Sequence, residues 1–265
     1  MLESLKRNDV VKKILTRIRP IATIRNKRFL HHHKEISPEN AASVWRNLSV
    51  SWQDPLVPAE QARLLEDQLS AYRDGKKDRT FDVLTDILIR NVPGLDAKSV
   101  LEIGCSSGYH SEVFQIKGIS SSYRGCDYSE VFIKQARLRY PLLQWDVADA
   151  TALGYRNSEF DITISGCCIL HIYNFELAIA EAARVGKDFV VFHRTPVVEK
   201  GNTTYYQKRA YGVEMLEIHF NEGALMKRMA AYGLALKDVE VIDSFPFWKG
   251  RDTFSVKTYL FACKK

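Results

Sequence analysis

The sequence predicts an α/β protein, a doubly wound and mostly parallel sheet with helices on both faces. Two observations support this fold class. After Lys98, short apolar runs alternate with stretches of helical spacing, which is the pattern of parallel strands joined by crossover helices. The first run ends in the loop Gly104 to Gly108, "GCSSG", and loops of this kind let a ligand approach the end of a first strand.

Seven apolar runs are predicted as strands, with three helices between them. The strands cover residues 99–104, 123–127, 142–147, 160–167, 188–194, 239–245 and 257–264, and the helices cover residues 110–118, 129–140 and 175–186. Such sheets bind ligands at the carboxyl ends of their strands. We therefore expect functional residues at one edge, which carries the loop 104–108, Asp127, Asp146, residues 165–171 and His193 with Arg194.

Residues 1–80 are predicted to form a basic amphipathic arm and a helical cap, and residues 81–265 the core that contains the sheet. In the cap, Trp45, Leu48 and Trp52 share one helical face. A stripe of this kind is typical of packing, but a cap above a cleft would also place its aromatic rings over a substrate.

Basic residues are concentrated in the arm. Residues 1–34 contain ten Lys/Arg and two acidic residues, whereas the rest of the chain contains 28 basic and 30 acidic residues. An amphipathic basic helix there would suit peripheral contact with an anionic membrane or an acidic partner. Packing on the core or on a second subunit, as in a homo-oligomer, is the alternative. The histidines 31–33 lack the ligand spacing of a metal site, so no metal is predicted.

The composition is that of an ordinary globular protein, with 46% hydrophobic and 26% charged residues. No apolar run is long enough to cross a bilayer, and the first twenty residues are too broken by charge for a secretory signal, so we expect a cytoplasmic protein. The five cysteines show no metal spacing and are odd in number, which indicates reduced thiols.

The loop 104–108 satisfies two signatures. As G-x-S-x-G it would present Ser106 as the nucleophile of a serine hydrolase. That interpretation lacks an oxyanion loop and the strands that usually precede such an elbow, and Asp188 and His219 would have to complete the triad. As E-x-G-x-x-x-G, the same residues form a glycine loop beside a nucleotide-like cofactor. The dinucleotide fingerprint fails, because Ser106 and Tyr109 occupy its second and third glycine positions.

The glycine-loop interpretation gains support from Asp127, which ends the next strand nineteen residues after Gly108, where a carboxylate can accept both hydroxyls of a ribose. From "VLEIGCSSG" through "YRGCDYSEVFIKQAR", "LLQWDVADATAL...FD" and "FDITISGCCILHI" to "EAARV", the chain resembles the class I S-adenosylmethionine-dependent methyltransferases over its last two-thirds. The resemblance implies a Rossmann-like seven-stranded sheet and the cofactor S-adenosylmethionine, with S-adenosylhomocysteine as its product.

The resemblance also implies roles for individual residues. Asp127 matches the ribose-binding acid, and Asp146 with Val147 the residues beside adenine. Ser106 departs from the glycine that many members carry, and the stretch "RVGKDF" lacks the usual Pro-Gly-Gly turn. The predicted cofactor-binding set is Glu102, Gly104, Cys105, Ser106, Gly108, Asp127, Tyr128, Asp146, Val147 and Ser165.

Methyl transfer is an in-line displacement that positioning and desolvation accelerate, and a hydroxyl acceptor must also lose a proton. His171 and His193 are the candidate bases, although each could equally be a structural histidine. The segment 195–220 is too long for a plain turn and is predicted to bind the acceptor. Its candidate substrate-binding residues are Tyr205, Tyr206, Tyr211 and His219.

The sequence therefore predicts a methyltransferase for a small-molecule acceptor, with a hydroxyl of a sugar, a surface-glycan or a lipid-linked intermediate as the preferred target. Nucleic acid is disfavoured as a substrate, because the chain beyond the arm is slightly acidic and no Asp/Asn-Pro-Pro-Tyr/Phe motif follows the fourth predicted strand. The alternatives are a serine hydrolase that uses Ser106 and a partner subunit that binds cofactor without catalysis.

Overall fold

The computed structural model describes residues 33–246 and 253–264. The predicted arm, apart from its last two residues, lies outside this part of the chain. The described strands are β1 (His33–Ile36), β2 (Ser99–Ile103), β3 (Ser122–Asp127), β4 (Gln144–Val147), β5 (Phe160–Gly166), β6 (Gly186–Val198), β7 (Thr204–Ala210), β8 (Val213–Asn221), β9 (Leu234–Pro246) and β10 (Thr253–Cys263). The described helices are α1 (Pro38–Leu48), α2 (Leu56–Arg73), α3 (Arg79–Asn91), α4 (Tyr109–Ile116), α5 (Glu130–Arg139), α6 (Phe175–Val185) and α7 (Glu222–Ala231), with 3-10 turns at Ser49–Gln53, Leu95–Ala97 and Ile169–His171.

Seven strands form the predicted Rossmann-like sheet in the order β4-β3-β2-β5-β6-β10-β9. The first five of these are mutually parallel, and β10 runs antiparallel between β6 and β9. The order reverses direction at β2, with β3 on one side and β5 on the other. A doubly wound sheet places its ligand crevice at such a switch point, so the predicted fold class is confirmed and the site is expected at this edge.

The sheet continues beyond this core into a three-stranded extension formed by β1, β7 and β8. The β7–β8 hairpin is antiparallel, β1 pairs with the outer side of β7, and β8 joins the end of β6 at Val197 and Val198. The segment 195–220, predicted as an insertion without assigned strands, is therefore mostly sheet. It becomes sheet because β6 runs past its predicted end at residue 194, which gives β8 a strand to pair with.

Apolar residues on alternate faces of the strands form two separate cores. On β2, Val100 packs into one cluster and Leu101 into the other, and on β10 Leu260 and Phe261 divide in the same way. Successive side chains of a strand point to opposite faces, so a strand that is apolar at every position must be covered on both sides. Helix α3 covers one face through Leu84, Ile87 and Leu88, and α6 covers the other through Ala178, Ile179 and Ala182.

Candidate functional site

The loop between β2 and α4 is shaped by its two glycines. Gly104 and Gly108 have φ values of 72° and 79°, a left-handed conformation that costs glycine little. A Cβ atom at Gly108 would overlap the ring of Trp145, and one at Gly104 would overlap the side chain of Cys168. The glycines are therefore required by the loop conformation and by packing against the protein itself. Gly104 and Ser106 also line the cavity described next.

A cavity of about 320 Å³ opens at the carboxyl ends of β2, β3, β5 and β6, under the residues of the predicted cap. Six of the predicted site residues line it: Gly104, Ser106, Asp127, Tyr128, His171 and Tyr211. The other lining residues are Trp45, Ser49, Trp52, Gln61, Leu65, Tyr109, Phe132, Ala148, Asp149, Ala150, Thr151, Gly166, Cys167, Cys168, Ile172 and Arg194.

Backbone strain is concentrated at this cavity. Five non-glycine residues of the described chain have positive φ values, and four of them line the cavity. They are Ser106 at 48°, Cys167 at 61°, Arg194 at 56° and Tyr211 at 52°. Left-handed non-glycine residues are energetically costly and tend to persist where function requires them. Their common location makes this cavity the candidate functional site.

Asp127 at the end of β3 is held by main-chain groups. Its Oδ2 accepts a hydrogen bond from the Ser106 amide and its Oδ1 accepts one from the Ser129 amide, both at 2.9 Å. Burial raises the pKa of Asp127 to about 6, although the two amides oppose the shift. The carboxylate keeps lone pairs beyond those that the amides use, so it can still accept hydrogen bonds from a ligand in the cavity.

Aromatic residues of the cap cover the cavity and are tied to its rim. Trp45 Nε1 donates to the carbonyl of His171 at 3.1 Å, and the Trp52 ring lies 5.0 Å from the His171 ring. Ser129 Oγ donates to the carbonyl of Trp52 at 2.6 Å. The tryptophans therefore pack against the rim and also line the cavity, and their position above a substrate stays a prediction.

His171 is oriented by a main-chain carbonyl. Its Nδ1 lies 2.6 Å from the carbonyl oxygen of Leu216, an acceptor only, so Nδ1 carries the proton. A ring that carries only this proton has its lone pair on Nε2. Burial raises the pKa of the neighbouring Cys167 thiol, but Arg194 and His171 outweigh it and lower that pKa to about 7. The cavity thus contains an imidazole of fixed orientation beside an acidic thiol.

His193, the second candidate base, is not brought to the cavity. It is 1% exposed, and its Nδ1 lies 2.8 Å from Thr258 Oγ1. Burial, together with His110 and Arg194, holds its pKa well below the ordinary value, so the ring is neutral. Ser165, expected at the methionine end of the cofactor, is likewise buried, and its neighbour Gly166 lines the cavity instead.

Glu102 and Cys105 lie beneath the loop and not in the cavity. Glu102 is 1% exposed and accepts hydrogen bonds from His110 Nδ1, at 2.6 Å, and from the Tyr123 hydroxyl. Burial raises the pKa of the Cys105 thiol well above its ordinary value. The carboxylate of Glu102 is occupied by protein partners and the thiol of Cys105 is buried, so neither is available to a ligand. Both residues instead support the loop from below.

Asp146 and Val147 also lie away from the cavity. Asp146 Oδ2 accepts from Arg124 Nε at 2.5 Å and from the Tyr155 hydroxyl at 2.7 Å. Burial alone would raise the pKa of Asp146, but the hydrogen bonds from Arg124 and Tyr155 outweigh it. The pKa therefore lies below its ordinary value. The lining residue is Asp149, three positions along the chain, whose Oδ1 accepts from the amide and hydroxyl of Thr151 at 2.8 Å.

Of the four predicted substrate-binding residues, only Tyr211 lines the cavity. Tyr205 on β7 packs 6.1 Å from the Tyr173 ring, and the adjacent Tyr206 stacks near His219 at 4.8 Å between ring centroids. Tyr211 differs because it lies in the turn between β7 and β8, outside the strand pairing. The strands hold the others within the extension.

His219 belongs to a buried ion-pair network centred on Glu217. Glu217 Oε1 lies 3.0 Å from His33 Nε2 and 3.0 Å from His219 Nε2, and Lys208 contacts its second oxygen. Burial raises the pKa of Glu217, but these partners hold it well below the ordinary value. Two histidines and a carboxylate could ligate a metal, but the Lys208 ammonium already compensates the carboxylate charge. We interpret the network as a link between β1 and the β7–β8 hairpin.

Several residues that line the cavity are absent from the predicted site. Cys167 and Arg194 both belong to the strand ends that were expected to carry functional residues. For Arg194, a cationic residue at the end of a predicted buried strand was the available signal. Asp149 begins the run "DATAL". It could have been predicted if the adenine-side acid of the third motif had also been sought three positions after Asp146. Tyr109 and Gln61 carry no local signal, because only the tertiary structure brings α2 and α4 to the cavity.

Comparisons with known proteins show similarity to methyltransferases within the sheet-forming part of the chain. Residues 101–190 match the family described as the methyltransferase domain. A Mycobacterium tuberculosis protein described as a probable S-adenosylmethionine-dependent methyltransferase is 28% identical over 96 residues, which is 36% of this chain. The match spans about a third of that relative's length, 34%.

Solved structures share the fold. An S-adenosylmethionine-dependent methyltransferase from Methanosarcina mazei aligns with a TM-score of 0.51 at 18% identity, over 67% of this chain and 97% of its own. A Burkholderia thailandensis 1,6-didemethyltoxoflavin-N1-methyltransferase, solved with 1,6-didemethyltoxoflavin and S-adenosylhomocysteine, aligns with a TM-score of 0.51 at 17% identity, over 78% of this chain and 91% of its own. At these identities the likeness shows the fold alone.

Proposed function

We propose that the chain is a class I S-adenosylmethionine-dependent methyltransferase that transfers a methyl group to a small-molecule acceptor, because residues 101–190 match the methyltransferase domain. The observation that carries the proposal is Asp127, a buried carboxylate at the end of β3, which lines a cavity beside the glycine loop. This is where a doubly wound sheet binds the ribose of a nucleotide-like ligand.

The described residues fit the cofactor. Asp127 would accept hydrogen bonds from the ribose hydroxyls, and Phe132 and Ala148 would enclose the adenine. Asp149 takes the adenine-side role that the sequence suggested for Asp146, because the Asp146 carboxylate is held by Arg124 and Tyr155. The methionine portion would extend along Gly104 towards Gly166 at the end of β5.

When bound, S-adenosylmethionine supplies a methyl group activated by a positively charged sulfur. The chain's own residues orient the acceptor and remove its proton. His171 is the proposed base, because its Nδ1 donates to Leu216 and its Nε2 is therefore available to accept a proton. Trp45 and Trp52 above the cavity exclude water, which favours transfer to the acceptor.

The acceptor that we favour is a hydroxyl of a sugar, a surface-glycan or a lipid-linked intermediate. Aromatic side chains with polar edges, such as Trp52, Tyr109 and Tyr211, suit stacking on a ring that carries hydroxyls. The basic residues 1–34 would suit an acceptor attached to a membrane. Within the described residues, no helix combines the length and the apolar character needed to cross a bilayer.

Isothermal titration calorimetry with S-adenosylmethionine and S-adenosylhomocysteine tests the proposal. We expect Asp127→Ala to weaken binding by about 2 kcal/mol, roughly 30-fold, because a charged acceptor of ribose hydrogen bonds is lost. Asp67→Ala, which changes an exposed carboxylate on α2, is the matched control and should leave the affinity unchanged. Absence of binding of both compounds by the folded wild type would contradict the proposal.

A further inference from the structure

Arg194 is the single Lys or Arg side chain that lines the cavity, within the part of the chain that the structure describes. Other arginines nearby have carboxylate partners, as Arg124 has Asp146 and Arg184 has Glu181. Arg194 forms no ion pair with any described acidic residue. A partly buried guanidinium that lines a cavity without a carboxylate partner is available to a ligand with a negative charge.

The groups around the guanidinium are a thiol and two phenols, and the thiol of Cys167 is acidic, since Arg194 helps to lower its pKa to about 7. The Cys167 thiol, Tyr109 and Tyr211 lie close enough to raise the pKa of Arg194, with Cys167 the strongest influence. Burial raises the pKa of the two tyrosine hydroxyls, so both are protonated and can donate hydrogen bonds. A guanidinium beside hydroxyl donors matches the acceptor atoms of a carboxylate.

A β-bulge directs Arg194 into the cavity. Phe192 pairs with Tyr259 and Thr195 pairs with Lys257, so His193 and Arg194 on β6 together oppose the single residue Thr258 on β10. At the bulge, Arg194 adopts a φ of 56°. Bulges commonly re-aim a side chain next to an active site, and here the irregularity is independent of the charge argument.

The position of Arg194 across the sheet separates it from the expected ribose. Asp127 ends β3, whereas Arg194 lies on β6, and the order β3-β2-β5-β6 puts three strand spacings between them. At about 4.8 Å per spacing, this is roughly 14 Å. A cofactor with its ribose at Asp127 would extend its methionine portion towards β5, so Arg194 lies beyond it, on the acceptor side.

We propose that Arg194, aimed into the cavity by the β6 bulge, binds a carboxylate of the methyl acceptor. This inference rests on the proposed function, because it defines the acceptor side of the same cavity. A carboxylate is favoured over a phosphate, since one guanidinium compensates one negative charge and its fork binds a carboxylate at two points. The rings of Trp52 and Tyr211, whose centroids lie 6.3 Å apart, would together form one wall against which the planar body of such an acceptor packs.

Benzoate and its neutral isostere benzamide, titrated into protein saturated with S-adenosylhomocysteine, test the proposal. We expect the wild type to bind benzoate at least tenfold more tightly than benzamide, and Arg194→Gln to lose this preference. Arg194→Lys keeps the positive charge but cannot bind a carboxylate at two points, so it should retain part of the preference for benzoate. Arg63→Gln, an exposed arginine on α2 that pairs with Glu60, is the matched control and should behave like the wild type.

Two further ligands separate an acceptor carboxylate from the carboxylate of the cofactor. S-Adenosylhomocysteine and 5′-methylthioadenosine, which lacks the amino-acid portion, should each bind equally to wild type and Arg194→Gln. If Arg194→Gln weakens only S-adenosylhomocysteine, Arg194 holds the cofactor and the proposal is overturned. Equal benzoate and benzamide affinities in the wild type would overturn it as well. Failure of the proposed function would appear differently, as absence of S-adenosylhomocysteine binding in every variant.

A thermal melt of the cofactor-free variants distinguishes binding from structural roles. Arg194→Gln removes a cation that no described carboxylate compensates, so we expect a melting temperature equal to or above that of the wild type. A lower melting temperature together with an unchanged benzoate preference would show that Arg194 serves the fold, and would overturn the proposal.

Discussion

Single residues of the site are controlled through main-chain contacts. Asp127 is fixed by the amides of Ser106 and Ser129, and His171 by the carbonyl of Leu216 on β8. A side chain held by the backbone keeps one orientation, because the backbone partner can only donate or only accept. The chemistry proposed for both residues follows from these fixed partners.

The raised pKa of Asp127 predicts opposite pH effects on binding and on stability. Cofactor affinity should fall as the pH drops through about 6, because the protonated carboxyl loses acceptor capacity for the ribose hydroxyls. The folded pKa lies above the unfolded value, so protonation favours the folded state. The cofactor-free protein should therefore gain about 2 kcal/mol from this group as the pH falls from 6 to 4.

Calorimetry with S-adenosylhomocysteine from pH 5 to pH 8 checks the binding effect, with urea unfolding over the same range for the stability effect. Asp127→Asn should remove the titration near pH 6 from both measurements. A flat affinity profile in the wild type would show that the carboxylate does not accept from the ligand.

His171 and His193 predict different mutational outcomes. With an acceptor that supports turnover, His171→Gln should lower kcat by about 100-fold or more, because a general base is lost, and leave the affinity for S-adenosylhomocysteine unchanged. His193→Gln is the comparison, since this buried residue does not line the cavity, and its kcat should stay within a few-fold of the wild type. Rates of S-adenosylhomocysteine formation decide between them, and unimpaired turnover by His171→Gln would exclude it as the base.

Among the secondary-structure elements, the β1, β7 and β8 extension depends on charge as well as on pairing. Glu217 on β8 contacts His33 on β1 and Lys208 on β7, so one carboxylate joins the three strands. The turn of the hairpin carries Tyr211 to the cavity, and the carbonyl of Leu216 on β8 orients His171. The extension is therefore a structural support for the site.

Glu217→Gln should destabilise the protein by about 3 kcal/mol at pH 7, because it removes a buried carboxylate charge that Lys208, His33 and His219 all contact. The folded pKa of Glu217 is depressed, so its contribution is present above the unfolded pKa and is lost as the pH falls through the folded value. The difference between wild type and variant should accordingly shrink in acid.

Urea unfolding at pH 7 and at low pH measures this difference. Glu214→Gln, an exposed substitution on the same strand, is the control and should change stability by less than about 0.5 kcal/mol. A Glu217→Gln protein as stable as the control at pH 7 would show that the network contributes nothing to the fold.

In the molecule as a whole, the sheet order creates the site. The strands diverge at β2, and the cavity lies where the carboxyl ends of β3, β2, β5 and β6 meet the cap residues 45–65. Two cores, one on each face, hold these strand ends in place. The expectations for the arm, a membrane surface and a homo-oligomer stay predictions, and most of the arm lies outside the described residues.

Local patterns of the sequence determined the seven core strands, the three helices between them, the glycine loop and Asp127. Each of these depends on contacts between near neighbours: apolar periodicity, a turn that needs glycine, and an acid that directly ends a strand. The methyltransferase resemblance was equally accessible, because its motifs lie in order along the chain and are confirmed by the family match over residues 101–190.

Only the tertiary structure decided which polar residues reach the cavity. Asp146 and Asp149 lie three residues apart, and the contacts of Arg124 and Tyr155 with Asp146 leave Asp149 at the cavity. His171 and His193 both follow strands, yet one lines the cavity and the other is enclosed beside Thr258. Side-chain direction at a strand end depends on bulges and on partners from distant segments, and no local pattern of residues records those contacts.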